Sequence, residues 1–297
     1  MGTGLYDAAF ATLGRLFGHN ARASITALTL FGGLASTICW PLSAFLVSFV
    51  GWRGACAAYA AIQFGFALPL YLWAIPRLSL PKPLTSHGVS NIGGGMLAAP
   101  PSSSAIILLA SALTLAAMLS ATMSVHLLTV LQASGLALAT AVGLGALVGP
   151  CQLAARAIEM AIAQRHHPIW TKVASVTLVA IGISALWAHF PFVPAALAFY
   201  GAGIGLESIA RGTLPLAMFG PHGYATVMGR LGMPSLLAQA AAPWIGALLL
   251  QRLEATGMLG VLVSVGFLNV GLSLALYHCV STSAGIRRRS GEPKAKL

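Results

Sequence analysis

Hydrophobic residues along the chain are gathered into long runs, separated by short polar or glycine- and proline-rich stretches. Most of these runs are near or above the roughly 20 apolar residues that cross a bilayer as a helix, although the first is shorter. No run alternates like a barrel strand, and lipid cannot satisfy open strand edges, so we predict helices throughout. The nine predicted spans are residues 1–17, 23–50, 53–76, 104–132, 135–158, 169–189, 192–218, 224–251 and 257–281.

The composition is that of a membrane protein. Hydrophobic residues make up 58% of the chain, the mean hydropathy is +0.86, and only 7% of residues are charged. A soluble domain of 297 residues needs many more charged groups on its surface. The longest polar stretch, residues 77–104, is rich in proline, glycine and serine and is typical of a linker. We therefore predict an all-α integral membrane protein.

The basic residues indicate an orientation in the membrane rather than a nucleic-acid partner. The net charge is +11, but Lys and Arg lie at the ends of apolar spans and form no basic face interleaved with aromatic residues. If the C-terminus is cytoplasmic, fourteen basic residues lie on that side and only Arg53 and Arg252 on the other. That bias predicts a cytoplasmic C-terminus in the cell inner (cytoplasmic) membrane. The fourteen are Arg15, Arg22, Arg77, Lys82, Arg156, Arg165, Lys172, Arg211, Arg230, Arg287, Arg288, Arg289, Lys294 and Lys296.

The sequence after residue 200 repeats features of the beginning of the chain. Three pairs of short motifs share an offset of about 200 residues, and each pair lies at a similar place in a hydrophobic span. Two parallel repeats of this kind are typical of many secondary transporters. The pairs are Gly2–Leu5 with Gly203–Leu206, Phe17-Gly18 with Phe219-Gly220, and Trp40-Pro41 with Pro243-Trp244.

Several motifs resemble those of the major facilitator superfamily of transporters, in its monocarboxylate-porter-like or small bacterial drug and metabolite branches. The segment Gly4–Gly18 resembles the fourth helix of that family, and Arg22–Gly33 resembles the fifth. Gly149-Pro150 with Arg156, followed by residues 164–168, is similar to the second copy of the family's cytoplasmic loop motif, without its usual acidic residue. The turn into the sixth helix is matched by Trp40-Pro41 and Gly51–Gly54.

The resemblance implies twelve helices in two six-helix halves, with solute bound between the halves and moved by alternating access. The nine spans then correspond to the last nine helices, and the first three are expected to be missing. On this interpretation residues 1–77 are the last three helices of the N-terminal bundle, and residues 78–103 are the cytoplasmic linker. Residues 104–281 are the C-terminal six-helix bundle, and residues 282–297 are a basic, disordered cytoplasmic tail.

Two other interpretations stay open. The ten-helix drug/metabolite transporter architecture also fits a chain near this length, but it repeats after five helices, whereas the observed offset separates six. The second alternative is that the chain is a truncated fragment that does not transport. The expected absence of three helices makes this a serious alternative.

The candidate site residues are ionisable groups inside the predicted spans. Asp7 and Glu207 lie well away from the span ends, at nearly matching positions of the two repeat copies. A charge in lipid is costly and faces a cavity or a partner, so each is a candidate for proton coupling or solute contact, or for a structural ion pair. Glu207 and Arg211 are four residues apart and can pair on one helix face. Arg230 is a candidate to join them or to bind an anionic solute.

His126 is the last candidate, as a proton or solute ligand on a helix that lines the family's cavity, or as a hydrogen-bonded interior side chain. His166 and His167 have no cysteine or acidic companions in the sequence, and the four cysteines lack metal-ligand spacing, so we expect no metal. No phosphate loop or nucleophile–base pattern is present, so we expect no cofactor and no enzymatic activity. The sequence predicts a proton-coupled secondary transporter of a small solute in a lipid bilayer.

Overall fold

The structure is a computed structural model that describes residues 9–10, 12–13, 21–74, 103–162, 166–220 and 224–289. All regular structure in these ranges is helical, which confirms the all-α class for this part of the chain. A π-helical turn, Gln63–Ala67, separates the first two helices. The helices are α1 (Ala21–Ile62), α2 (Leu68–Ala74), α3 (Ser103–Ala133), α4 (Leu138–Ala146), α5 (Val148–Ile162), α6 (Pro168–Trp187), α7 (Val193–Phe219) and α8 (Tyr224–Arg289).

Two of these helices are interrupted where the sequence predicts a boundary between spans. Gly51 in α1 has a φ of 69°, in the left-handed region that glycine adopts at little cost. Glu254 in α8 has a φ of 57°, which is uncommon for a residue with a side chain. We call the two parts of the last helix α8a (residues 224–253) and α8b (residues 255–289). The predicted ends at residues 50 and 251 therefore match real breaks in the backbone.

Six helical segments of the described chain are long and apolar enough to cross a membrane. The count of nine spans and the two-bundle arrangement stay predictions, and most of residues 1–17 and the linker at 78–103 lie outside the described residues. The six segments are Phe45–Leu70, Ser104–Ala133, Leu138–Ile162, Pro168–Trp187, Val193–Phe219 and Val227–Ser281. The first of these contains the break at Gly51, and the last contains the break at Glu254.

Helix ends follow local rules. His167 caps α6, since its ring Nδ1 accepts the backbone N–H of Ile169 at 3.2 Å, and Pro168 occupies the first turn, where no N–H is needed. The predicted span 135–158 is two helices that meet at Leu147, three residues before a proline that cannot continue the hydrogen-bond ladder. α8 continues through Arg289, into the segment that the sequence predicts as a tail. A helix satisfies its own backbone hydrogen bonds, so it can extend beyond the apolar segment.

The chain divides into two compact units, Met1–Leu34 with Pro100–Leu297, and Ala35–Ala99. In the first unit, α3 packs along α8, α6 packs on α7 and α8, and α5 packs on α7. Its largest core cluster includes Met123 of α3, Ile183 of α6, Leu197 of α7 and Leu262 of α8b. A smaller cluster packs Phe10 and Ile25 against the end of α7 and the start of α8.

The second unit contains a helical hairpin that turns at Gly51. The hydroxyls of Ser43 and Tyr59, on either side of the break, lie 2.6 Å apart. Only 6% of the most apolar window of Phe45–Leu70 is buried within the protein. This helix therefore presents its apolar side chains outward, as a lipid-facing segment does.

Candidate functional site

A buried ion pair joins α6 to α7. Lys172 Nζ lies 2.5 Å from Glu207 Oε1, and the two side chains are 0% and 15% exposed. Lys172 also donates to the carbonyl of Ala112 on α3 at 3.4 Å. The hydroxyl of Ser175, one turn after Lys172, lies 2.8 Å from Glu207 Oε2 and 2.9 Å from the carbonyl of Gly203. Both carboxylate oxygens therefore have partners, as a buried charge requires.

Helix spacing and glycine place these groups together. Lys172 and Ser175 are three residues apart on α6, and Gly203 and Glu207 are four apart on α7, so each pair shares one helix face. A methyl group at Gly203 would lie 2.8 Å from the carbonyl oxygen of Ser175, closer than real side chains come. The missing side chain at Gly203 thus allows α6 and α7 to approach within reach of the ion pair.

Glu207 also lines a crevice of about 160 Å³ between α3, α5, α7 and α8. Two arginines line the same crevice: Arg211 one turn after Glu207, and Arg156 on α5. This volume is below the roughly 300–1,000 Å³ of pockets for drug-sized ligands, so it suits a small solute. The polar lining residues are Ser120, Arg156, Glu207, Ser208, Arg211 and Gln239.

Arg156 is 6% exposed and connects three helices at the edge of this crevice. Its guanidinium donates to the carbonyl of Thr29 on α1 at 3.0 Å, to that of Gly205 on α7 at 3.4 Å, and to the side-chain oxygen of Gln152 at 3.3 Å. Gly33 of α1 faces the guanidinium, which a side chain there would displace. The sequence counted Arg156 with the basic residues of the cytoplasmic side, and the structure buries its charge between helices.

The structure brings two of the five predicted site residues together. Glu207 and Arg211 share the crevice, while Asp7 lies outside the described residues.

His126 is 9% exposed and packs at the contact of α3 with α8, where a methyl group at Gly246 would lie 2.5 Å from its ring. Its Nε2 is 3.1 Å from the carbonyl of Pro243, which can only accept, so the ring donates from Nε2. Arg230 is exposed on α8a and is not among the residues that line the crevice.

Sequence reasoning missed the ion-pair partner of Glu207. Lys172 lies four residues after Pro168, so its position resembled the basic end of a span, and we counted it with the cytoplasmic charges. The structure buries Lys172 fully, so its charge does not belong to a loop. The available signal was its spacing with Ser175, which puts two polar groups on one face of an apolar helix.

A second polar cluster lies where α5 leads into α6. The Thr171 hydroxyl donates to Glu159 Oε1 at 2.6 Å, and His166 Nε2 lies 3.2 Å from the same carboxylate oxygen. Glu159 is 4% exposed, so these contacts satisfy a buried charge. The expectation that His166 has no acidic companion is therefore wrong, because Glu159 in the last turn of α5 lies beside it.

No protein-family model matches the chain, and no curated protein matches it significantly. Membership of the major facilitator superfamily stays a prediction from the motifs. The chemistry of the site is that of charge pairing. A carboxylate is paired with an ammonium group beside a small crevice that two arginines also line.

Proposed function

We propose that this protein is a secondary active transporter of the major facilitator type that moves a small solute by alternating access, coupled to protons, across the cell inner membrane. The observation that carries the proposal is the Lys172–Glu207 pair, buried among membrane-length apolar helices and open to a crevice. Ionisable groups at such positions are costly and normally serve ion or solute pathways.

In this proposal Glu207 is the coupling carboxylate. Lys172 and Ser175 face it from α6, Arg211 lies one turn away on α7, and Arg156 lines the same crevice from α5. Protonation of Glu207 removes its negative charge and weakens its attraction to Lys172. The change in charge alters how strongly α6 holds α7, and α7 forms one wall of the crevice. Proton binding and helix arrangement are thereby linked.

The charges of the crevice support an anionic solute. Its lining includes two guanidinium groups and one carboxylate, and that carboxylate is already paired with Lys172. Arginine offers a planar pair of donors that matches a carboxylate. The first solutes to test are therefore monocarboxylates, followed by amphiphilic drugs.

The test is solute accumulation in proteoliposomes with an imposed proton gradient. We expect the chain to accumulate at least one monocarboxylate, and Glu207→Gln to reduce uphill accumulation at least tenfold. Arg230→Gln is the matched control, because Arg230 is exposed and outside the crevice lining, and it should leave accumulation unchanged. Asp7→Asn tests the matching position of the first repeat. Accumulation that survives both Asp7→Asn and Glu207→Gln would exclude these carboxylates from coupling.

The competing proposal is a membrane protein that does not transport by itself. The low burial of Phe45–Leu70 favours it, since this apolar helix has a large surface available to another chain. Absence of accumulation for every solute, by protein that remains folded and monodisperse, would favour that proposal.

A further inference from the structure

We infer that Arg156 is a latch that holds the start of α1 (residues 21–34) against α5 and α7, and that releasing this latch opens the crevice beside Glu207. Arg156 acts here as a positioning residue, because its hydrogen bonds fix one helix of the crevice wall and a second helix that supports the wall. The latch stands on its own contacts, and only its role in admitting solute rests on the proposed function.

The latch joins three helices through one side chain. Nη1 of Arg156 donates to the Thr29 carbonyl of α1 at 3.0 Å, and Nε donates to the Gly205 carbonyl of α7 at 3.4 Å. Nη2 donates to the side-chain oxygen of Gln152, one turn earlier on α5. A guanidinium group carries several N–H donors in a rigid plane, so one arginine can hold the carbonyls of two helices at the same time.

A glycine on α1 makes room for the guanidinium group. Gly33 lies one turn after Thr29, so the two residues share one face of the helix. A methyl group at Gly33 would collide with Nη1 of Arg156, which is the far end of a flexible side chain. Alanine at position 33 therefore displaces the guanidinium from the Thr29 carbonyl without pushing backbones apart, and it changes no residue that lines the crevice.

The start of α1 supports one wall of the crevice. Ile25 lies one turn before Thr29 on the same face of α1, and it packs in one buried cluster with Phe10. Phe10 lines the crevice. A methyl group at Gly212 of α7 would lie 2.8 Å from Ile25 and 3.0 Å from Phe10, so both side chains pack on the same glycine. Movement of α1 away from α5 therefore loosens the packing that keeps Phe10 at the crevice.

The bond from Arg156 to α1 opens more easily than the ion pair beside it. Thr29 offers a neutral carbonyl, so its release leaves no negative charge behind, and the guanidinium keeps its partners Gly205 and Gln152. Separation of Lys172 from Glu207 would instead leave two opposite charges buried apart from each other. We therefore expect α1 to move while α6 and α7 stay together.

The test is the labelling rate of a cysteine in the crevice, measured on the full chain in lipid nanodiscs with its four native cysteines replaced by alanine. Ala117→Cys places the thiol on the crevice lining, at a side chain that is 7% exposed. We expect Gly33→Ala to raise the rate of reaction with a small charged methanethiosulfonate about tenfold, the effect of losing one hydrogen bond to a charged group. If Gly33→Ala does not fold, Arg156→Lys keeps the charge but removes the planar donors, and it should also raise the rate.

Two controls separate opening of the crevice from general loosening of the fold. Ala112→Cys places a thiol on the same helix, at a fully buried position outside the crevice lining, and its labelling rate should not change with Gly33→Ala. Gly229→Ala makes the same substitution in α8a, where no neighbouring atom of the described chain lies within 4 Å of an added methyl group. It should leave the labelling rate of Ala117→Cys unchanged.

Equal labelling of Ala117→Cys with and without Gly33→Ala, in folded protein, would overturn the latch. A parallel rise at Ala112→Cys would also overturn it, because the substitution would then loosen the whole bundle. Labelling does not depend on transport. Faster labelling without any solute accumulation would therefore count against the proposed function and leave the latch standing.

Discussion

At the scale of single residues, two buried carboxylates of the described chain bond to side chains far away in the sequence. Glu207 pairs with Lys172 across 35 residues, and Glu159 accepts a hydrogen bond from Thr171 across 12. Thr171 and Lys172 are neighbours, so the first turn of α6 contacts two different carboxylates on two different helices. Breaking the Lys172–Glu207 pair leaves a charge buried without its partner, which is costlier than removing both charges together.

The ion pair predicts a specific pattern of stability. Lys172→Met and Glu207→Gln should each lower the free energy of unfolding by about 3 kcal/mol, because each leaves one buried charge uncompensated. The double variant should lose less than the sum, since it buries no lone charge. The measurement is denaturant unfolding in mixed micelles for all four members of the cycle. Strictly additive losses would mean that the two side chains do not interact.

At the scale of helices, glycines on α7 allow α5 and α6 to pack closely against two sides of this helix. Gly201 and Gly205 face α5, and Gly203 faces α6. A methyl group at Gly205 would lie 2.5 Å from the carbonyl oxygen of Gln152, and one at Gly201 would lie 2.8 Å from that of Val148. The Gly201–Gly205 spacing is a small-residue motif of the kind that lets membrane helices pack closely, and its partner helix here is α5.

Gly205→Ala should therefore separate α5 from α7 and destabilise the protein by about 1–3 kcal/mol, the usual cost of overpacking. Gly271→Ala is the control, because Gly271 lies in α8b with no neighbouring atom within 4 Å of an added methyl group. That change should be neutral or stabilising by up to about 1 kcal/mol, from helix propensity. Thermal unfolding of the two variants in one detergent measures the difference, and equal melting temperatures would contradict the packing argument.

At the scale of the whole molecule, burial of basic residues changes the orientation argument without reversing it. Arg156 and Lys172 are buried, so neither is a loop charge. Removing these two from the fourteen leaves twelve basic residues on the side of the C-terminus, against Arg53 and Arg252 on the other. The bias still favours a cytoplasmic C-terminus.

A reporter enzyme that works only in the cytoplasm, fused after Leu297, should therefore be active. The same reporter inserted at the break near Glu254 should be inactive, because one membrane crossing separates the two positions. A periplasm-dependent reporter should give the opposite pattern. The reverse result at both positions would invert the proposed orientation, and equal activity at both would mean that α8b does not cross the membrane.

Secondary structure and its interruptions follow from sequence because they depend on neighbouring residues. Long apolar runs predict helices in a membrane, where the backbone must satisfy its own hydrogen bonds. The break at Gly51 agrees with the predicted end of a span, and so does the break at Glu254. The division of one predicted span into α4 and α5 lies next to the proline at position 150, a residue whose local effect on a helix is to kink or break it.

The sequence by itself determined that this is an apolar, all-helical chain and that Glu207 and Arg211 share a helix face, since both depend on residues near one another in the chain. Only the tertiary structure decided that Lys172 is the partner of Glu207, that Arg156 bonds α1, and that Arg230 lies outside the crevice. Those outcomes depend on which helices touch. That choice is set by side-chain size at contact points such as Gly203 and Gly205, and a linear pattern of polar and apolar positions does not record it.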